Sequence, residues 1–370
     1  MNEVFWVILQ SFLLVVLGLA ILVYGADLLV KGASRLAFLV GMSPLLIGLT
    51  VVSFGTSAPE LAISLLSSHE GVSDIAFGNV IGSNLFNTLA ILGISSLIVP
   101  LVVQQKLIRI DVPIMIIISF LVWFMSSNGY LARWEGGLLI LILIAYLTYC
   151  GFYAKTESKQ VEQEYQDEFT PPSKKGLSSS RLWNVGLLVA GLVLLVAGSK
   201  LLVNGAVDIA TFYGVSELVI GLTIVSAGTS LPELATSVIA AMKKEQDIAV
   251  GNIIGSNIFN LLAVLGLTSL VSKTGMPVSS QAIAFDLPFM IASALACLPI
   301  FFIGNNIDRW EGVLFIFLYA AYLAYTVMRS LGDGFFDEHN LIFFGLIGPL
   351  MGVTLLVLAY RYVRHFSNKT

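Results

Sequence analysis

The chain has 370 residues, of which 57% are hydrophobic and only 11% are charged, whereas a soluble domain carries roughly 25% charged residues. A soluble core of this size cannot bury so much apolar side chain, but a bilayer accepts stretches of about 20 apolar residues as helices. The formal net charge of −4 is small, and the basic residues lie in short connections, which excludes nucleic-acid binding. The composition predicts an all-α, polytopic transmembrane protein embedded in the lipid bilayer.

Apolar runs between charged or turn-forming breaks predict five transmembrane helices in each half of the chain and one more near the C-terminal end. They lie near residues 4–25, 43–67, 74–99, 110–127, 135–154, 182–203, 215–241, 247–272, 281–303, 310–330 and 341–360. This pattern predicts a first five-helix repeat (1–154), a cytoplasmic linker loop (155–181), a second five-helix repeat (182–330), and an extra transmembrane helix with a cytoplasmic tail (331–370). The sequence gives no indication of the oligomeric state.

The two halves align at a constant offset of 173 residues. Residues 41–66 match residues 214–239 at 17 of 26 positions, and residues 74–93 match residues 247–266 at 15 of 20 positions. The identities include Gly, Ser and Asn, so a shared preference for Leu and Val does not explain them. We infer a duplication, and because each half has an odd number of spans, the second repeat is inverted in the membrane.

Most Lys and Arg residues fall in or beside connections on one side, for example Lys106, Lys155, Lys243 and Arg361. The positive-inside rule then places the N-terminus outside and the C-terminus in the cytoplasm, in the plasma (inner) membrane. Inverted repeats with a midplane site at their interface are the recurring plan of secondary transporters.

The best-matched stretches are GLTVVSFGTSAPELA (48–62) and GLTIVSAGTSLPELA (221–235), and each places one glutamate within a span. An acidic residue in the bilayer costs about 2.5–3.5 kcal/mol or more and is rarely present without a partner. On a helix, the carboxylate and three hydroxyls of each stretch share one face. The two sets are Ser53, Thr56, Ser57 and Glu60, and Ser226, Thr229, Ser230 and Glu233. Pro59 and Pro232 are expected to bend these helices and to free the carbonyls of Gly55 and Gly228.

A second duplicated block, GNVIGSNLFN (78–87) and GNIIGSNIFN (251–260), carries a polar residue at every fourth position. The stripes are Asn79, Ser83 and Asn87 in the first half and Asn252, Ser256 and Asn260 in the second. Helix packing alone is the alternative reading, because small and polar residues also join helices. Asn79, Asn84, Asn252 and Asn257 in particular are open to a supporting role without ion contact.

Together the four segments offer carboxylates, hydroxyls, amide oxygens and freed carbonyls, with no imidazole or thiolate among them. Calcium prefers 6–8 oxygen ligands and tolerates irregular geometry, whereas zinc or copper favours His and Cys. Two carboxylates neutralise one divalent ion, and sodium ions are suited to replace it. We expect calcium and sodium as transported ions and no resident cofactor.

The motifs GTSAPE and GTSLPE, together with GSNLFN and GSNIFN, resemble the alpha repeats of the cation/calcium exchanger superfamily, and within it the sodium/calcium exchangers of compact prokaryotic type. The resemblance covers about residues 5–330. It implies alternating access with the first and sixth helices sliding, and calcium coordination by Glu60 and Glu233 with Thr56 and Thr229. It also implies sodium ligands at Ser53, Ser57, Ser83, Asn87, Ser226, Ser230, Ser256 and Asn260.

The sequence departs from several relatives at one position, because the potassium-dependent branch carries aspartate where this chain has Asn260. Both repeats here end in Asn, which gives one potential negative charge fewer. We therefore expect transport that is independent of potassium.

Two other functions are weighed against sodium/calcium exchange. A proton/calcium exchanger, or an exchanger of other divalent cations, is the nearest alternative, since a carboxylate pair can release calcium by taking up protons. An intramembrane protease lacks support, because His69, His339 and His365 lie in predicted loops or near the chain end and no HExxH motif occurs. The protein is expected not to be an enzyme.

Asp27, Lys200, Asp111, Glu217 and Asp286 lie near predicted span ends, where snorkelling or capping is expected. The segments Arg133-Trp134-Glu135 and Arg309-Trp310-Glu311 are predicted interfacial anchors.

Overall fold

The computed structural model describes residues 2–69, 73–168, 181–215, 220, 223–224, 226–302, 305–330 and 352. Within these residues, eight helices are long and apolar enough to cross a bilayer, and a bent helix pair makes up to nine spans. In chain order the helices are α1 (Asn2–Val40), α2 (Pro44–Thr56), α3 (Ala58–His69), α4 (Ile75–Ile98), α5 (Leu107–Ser126), α6 (Arg133–Glu168), α7 (Arg181–Phe212), α8 (Ser226–Thr229), α9 (Leu231–Met242), α10 (Gln246–Val271), α11 (Ala282–Phe301) and α12 (Arg309–Ser330).

Nine of the predicted spans coincide with described helices, counting the bent pair α2 and α3 as one. The predicted span 215–241 is described only in part, by α8 and α9. The predicted span 341–360, apart from residue 352, lies outside the described residues.

Three helices extend beyond their predicted ends. Helices α1 and α7 continue past residues 25 and 203, and α6 runs to Glu168, into the stretch predicted as a loop. Charged residues ended the apolar runs, but Lys, Glu and Gln have good helix propensity and do not end a helix. These three helices are therefore longer than the apolar stretches that cross the membrane.

Residue contacts divide the chain into two compact units, and each unit takes segments from both repeats. The first unit comprises residues 1–59 and 140–259, and the second comprises residues 60–139 and 260–370 as far as these are described.

In the first unit, α1 and α7 pack along glycines spaced seven residues apart. A Cβ atom on Gly25 would lie 2.9 Å from the Leu195 nitrogen, and one on Gly198 would lie 2.7 Å from the Leu22 nitrogen. Small residues thus let the two backbones approach closely.

In the second unit, two short antiparallel strand pairs join the ends of helices. Strand β1 (Leu101–Val102) pairs with β4 (Asn306–Ile307), with Leu101 opposite Ile307. Strand β2 (Tyr130–Leu131) pairs with β3 (Met276–Pro277), with Leu131 opposite Met276. Each pair links a segment of the first repeat to a segment of the second.

The glutamates of the two predicted anchor segments are buried and cap helices. Glu135 Oε2 accepts a hydrogen bond of 2.7 Å from the backbone amide of Ala132, and Glu311 Oε2 accepts one of 2.7 Å from Asp308. A Glu at the third helical position that binds the N-cap amide is half of a capping box. Trp134 and Trp310 are exposed, as interfacial anchoring requires.

Two helix breaks position the acidic residues. Helices α2 and α3 meet at a bend of 40°, and Ser230 separates α8 from α9. Pro59 and Pro232 each occupy the second position after the break, where a missing amide hydrogen is tolerated. The predicted bend between Ser57 and Glu60 is thus confirmed.

Candidate ion-binding site

Glu60 and Glu233 both lie in the first turn of a helix, and both are fully buried. The N-terminus of a helix carries a partial positive charge that favours a nearby carboxylate. Burial penalises the charge of each acid, and the dipole at the helix N-terminus offsets part of this cost. The helix break therefore places each acid at the helix N-terminus whose dipole stabilises it.

In the first unit, hydroxyl groups surround the Glu233 carboxylate. Ser57 donates a hydrogen bond of 3.2 Å to Glu233 Oε1, and the hydroxyls of Thr56 and Ser256 lie beside the same carboxylate. Glu233 Oε2 is buried and has no hydrogen-bond partner among the described residues. Both ion pairs found in the described part of the chain involve Asp27, so no described Lys or Arg neutralises Glu233.

In the second unit, Glu60 has a similar neighbourhood. The hydroxyl of Ser83, which is buried, lies 3.5 Å from Glu60 Oε1. The shell around each acid thus includes a serine hydroxyl from another helix. Hydroxyl oxygens suit a hard cation because their lone pairs stay available while the proton is donated to the carboxylate.

Asn79 and Asn252 hold the backbones of the two glutamates. Asn79 donates to the Glu60 carbonyl at 3.3 Å and to Ser64 at 3.1 Å. Asn252 donates to the Glu233 carbonyl at 3.4 Å and to Ser237 at 3.0 Å. These contacts agree with the supporting role that the sequence left open for these two amides.

Ser64 and Ser237 were missed by the sequence reading, although both were identifiable. They occupy the same position in the two repeats, four residues after Glu60 and Glu233, where one helix face is shared. An identical polar residue at equivalent positions of a duplicated membrane helix was the available signal.

Ser53 and Thr56 use their hydroxyl protons within the protein. Ser53 donates to the carbonyls of Gly48 at 2.6 Å and Asn252 at 3.0 Å, and Thr56 donates to Asn252 Oδ1 at 3.0 Å. Once the proton is donated, the lone pairs of each oxygen remain suitable for a cation. Both side chains are buried.

Asn87 and Asn260 are buried and lie in π-helical segments, Phe86–Ile91 and Asn260–Val264. Such segments are rare and often occur at functional sites. Asn260 donates from Nδ2 to Asn84 Oδ1 at 3.1 Å, while its own Oδ1 has no hydrogen-bond partner in the described ranges. Asn84 therefore orients the Asn260 amide so that its carbonyl oxygen is the group left for a ligand.

The carbonyl of Gly228, which the proline was expected to free beside the acid, accepts a side-chain hydrogen bond. Ser199 on α7 donates a hydrogen bond of 2.6 Å to it, because a buried carbonyl freed by proline still requires a donor. The carbonyl of Gly55 accepts a hydrogen bond from the Ser57 backbone amide. The residue of the first repeat that is equivalent to Ser199 is Ala26, which has no hydroxyl to donate. Because a carbonyl oxygen has two lone pairs, the Ser199 hydrogen bond leaves one of them, and ion binding by the Gly228 carbonyl stays a prediction.

The predicted ligands are distributed over both units. Thr229 and Ser230 are buried in the first unit with Glu233, and the side chain of Ser226 lies outside the described part of the structure. The first unit holds Ser53, Thr56, Ser57, Thr229, Ser230, Glu233 and Ser256, and the second unit holds Glu60, Ser83, Asn87 and Asn260. That Glu60 and Glu233 bind one shared ion stays a prediction.

The charged residues expected to snorkel or cap differ from one another. Asp27 pairs with Lys31 at 2.6 Å and with Lys243, and Asp286 accepts a hydrogen bond of 3.2 Å from Tyr322. Asp111 is fully buried, so it does not snorkel to the interface, and its side chain does not cap the helix that begins at Val112. Both expectations for Asp111 are wrong. Lys200 is exposed, and Glu217 lies outside the described residues.

A polytopic helical protein with duplicated, acid-bearing helix breaks belongs to the class of membrane transporters rather than enzymes. The model of the sodium/calcium exchanger protein family matches residues 10–152 and 183–328. The chain therefore belongs to the sodium/calcium exchanger family and is an antiporter of the cation/calcium exchanger type. The predicted family and the all-helical fold with two repeats are confirmed.

Relatives from three sources show the extent of the similarity. The chain is 35% identical over 342 residues to the sodium/calcium exchanger MaX1 of Methanosarcina acetivorans, which covers 85% of this chain and 97% of MaX1. It is 38% identical over 238 residues to the inner membrane protein YrbG of Escherichia coli K12, covering 63% of this chain and 71% of YrbG. A solved structure of the sodium-calcium exchanger NCX_Mj superposes with a TM-score of 0.72 at 30% identity, covering 86% of this chain and 99% of that chain.

Proposed function

We propose that this protein is a secondary active antiporter that exchanges sodium ions for calcium across the membrane by alternating access, independently of potassium. The observation that carries the proposal is the Glu233 carboxylate, which is buried among the hydroxyls of Ser57, Thr56 and Ser256 without a described cationic partner. A carboxylate in that environment requires a cation or a proton.

The donor chemistry supports calcium as the substrate. Each acid carries one negative charge, so Glu60 and Glu233 together neutralise one calcium ion, and Thr56 and Thr229 supply further oxygens. Sodium has the same preference for oxygen ligands. The proposed sodium ligands are Ser53, Ser57, Ser83, Asn87, Ser226, Ser230, Ser256 and Asn260, through side-chain or backbone oxygens.

Hydroxyl and amide groups around each acid favour sodium over protons as the coupling ion. A proton needs only the carboxylate, whereas sodium needs several neutral oxygens in addition. The hydrogen bond from Asn260 to Asn84 supports this proposal, because it leaves the Asn260 carbonyl oxygen as a neutral ligand. The names of MaX1 and NCX_Mj, both sodium/calcium exchangers, agree with this choice.

For the mechanism, we propose that α1 and α7 slide together past the helix breaks. Glycines along their contact remove the side-chain ridges that would oppose such a displacement.

We propose that the protein lies in the inner membrane, with the N-terminus outside and the C-terminus in the cytoplasm. The positive-inside rule supports this orientation, and the relative YrbG is an inner membrane protein.

The test is uptake of calcium-45 by proteoliposomes, with sodium, potassium and proton gradients imposed separately. We expect uptake only when sodium is loaded inside the vesicles, with protein-free vesicles as the control. Calcium flux that follows a pH gradient in the absence of sodium would instead establish proton coupling. Absence of calcium-45 uptake under all three gradients would show that calcium is not the substrate.

A further inference from the structure

A groove of about 830 Å³ lies between α1 and α9 in the first unit. Its walls are apolar and include Val16, Ala20 and Val23 of α1 and Ile239 and Met242 of α9. Val16, Val23 and Met242 are about half exposed. On α1 the lining residues recur every three or four positions, so the groove follows one helix face.

One end of the groove is charged. Lys243 and Asp27 line it and form an ion pair, and Asp27 also pairs with Lys31 at 2.6 Å. Arg35 is exposed one turn further along the same face of α1. Glu245 adds a second carboxylate here, since its Oε1 accepts a hydrogen bond of 2.7 Å from Ser34 on α1. Three basic side chains therefore stand against two carboxylates, and the side chains of Lys31 and Lys243 remain 49% and 29% exposed.

The distances along the helices place this charged end at the membrane surface. Lys243 follows Glu233 by ten residues, which is about 15 Å along a helix. Half of the bilayer hydrocarbon is also about 15 Å thick. If Glu233 lies near the midplane, Lys243 lies at the level of the lipid headgroups, and the apolar length of the groove matches one leaflet.

We propose that this groove binds one phospholipid with an anionic headgroup. An acyl chain lies along α1 from Val23 toward Val16, and the phosphate lies against Lys31 and Lys243. Because Asp27 and Glu245 balance only two of the three positive charges, the surplus selects a lipid with net negative charge over a zwitterionic lipid. The site joins α1, which packs on α7, to the helix that carries Glu233.

The experiment is native mass spectrometry of the full chain after exchange into equal amounts of phosphatidylglycerol and phosphatidylcholine with identical acyl chains. The wild type should retain phosphatidylglycerol about fivefold over phosphatidylcholine, the factor that corresponds to about 1 kcal/mol for one basic residue at the surface. Equal retention of the two lipids would overturn the proposal.

Two variants separate the headgroup from the acyl chain. Lys31→Gln combined with Arg35→Gln should remove the preference for phosphatidylglycerol, while the Asp27–Lys243 pair remains. Ala20→Trp should fill the groove and reduce the lipid retained, whereas Val193→Trp, at an exposed site on α7 outside the groove, should not. Unchanged retention of phosphatidylglycerol in Ala20→Trp would place the lipid elsewhere and overturn the proposal.

Discussion

The two helix breaks have nearly the same sequence, yet the structure holds them differently. At the second break, the Gly228 carbonyl accepts a hydrogen bond of 2.6 Å from Ser199 on α7. At the first, the residue equivalent to Ser199 is Ala26, which has no hydroxyl to offer the Gly55 carbonyl. The duplication therefore preserved the acids but not this side-chain contact at the helix break.

By contrast, the amides that hold the two acids are alike. Asn79 and Asn252 donate to the glutamate carbonyls at 3.3 and 3.4 Å. An inverted-repeat transporter needs equivalent ligands in both halves, but its halves adopt different conformations in any one state. The amides that support the acids follow the repeat symmetry. The contact that differs is made by Ser199 of α7, one of the two helices that we propose to move.

The largest expected effect comes from neutralising either acid. Glu60→Gln and Glu233→Gln should each reduce sodium-driven calcium-45 flux to the level of protein-free vesicles, because loss of a buried charge partner costs about 2–5 kcal/mol. The matched controls are Glu135→Gln and Glu311→Gln, which are also buried but cap helices. These controls keep the accepting oxygen and should retain flux.

Equal losses of flux in Glu60→Gln and Glu233→Gln would show that both repeats contribute a ligand. Full flux in either variant would contradict a shared site.

A smaller difference is expected between the two supporting amides. Asn252→Ala should lower thermal stability and calcium affinity more than Asn79→Ala, by about 1–3 kcal/mol, because Asn252 is fully buried and also accepts from Thr56. Asn79 is only partly buried. The measurements are thermal unfolding in detergent and calcium titration, and a larger loss in Asn79→Ala would reverse the ranking.

Ser199→Ala tests the asymmetry itself. Removal of one buried hydrogen bond should cost about 0.5–1.5 kcal/mol and change the exchange rate by several-fold, since the freed Gly228 carbonyl loses its donor. Ser119→Ala is the matched control, because Ser119 is buried and donates at 2.8 Å to a carbonyl of its own helix. Identical exchange rates in the wild type and both variants would remove any role for the Ser199 contact in transport.

The smallest effect is expected from potassium. At constant sodium, added potassium should change calcium uptake by the wild type less than about twofold, because the proposed ligands Asn87 and Asn260 both have neutral side chains. Asn260→Asp adds a negative charge and should increase the response to potassium. A steep rise of wild-type uptake with potassium would contradict the proposal.

Much of the fold and of the candidate site was predictable from local patterns. The apolar runs predicted the spans because a helix must cover the hydrocarbon thickness, and the repeated motifs singled out Glu60, Glu233 and their hydroxyl neighbours. The ends of α1, α6 and α7 were not predictable from hydropathy, because a helix continues through charged residues outside the hydrocarbon. Ser64 and Ser237 needed an argument from repeat symmetry.

The membrane class, the duplication and the oxygen-rich donor set were predictable, because they depend on composition and on residues close together in the chain. The packing of the helices was needed to show which carbonyl accepts a side-chain hydrogen bond and which amide supports which acid. Ser199 and Gly228 are 29 residues apart, and Ser57 and Glu233 are 176 apart. Contacts over such separations depend on how helices pack, which no local pattern specifies.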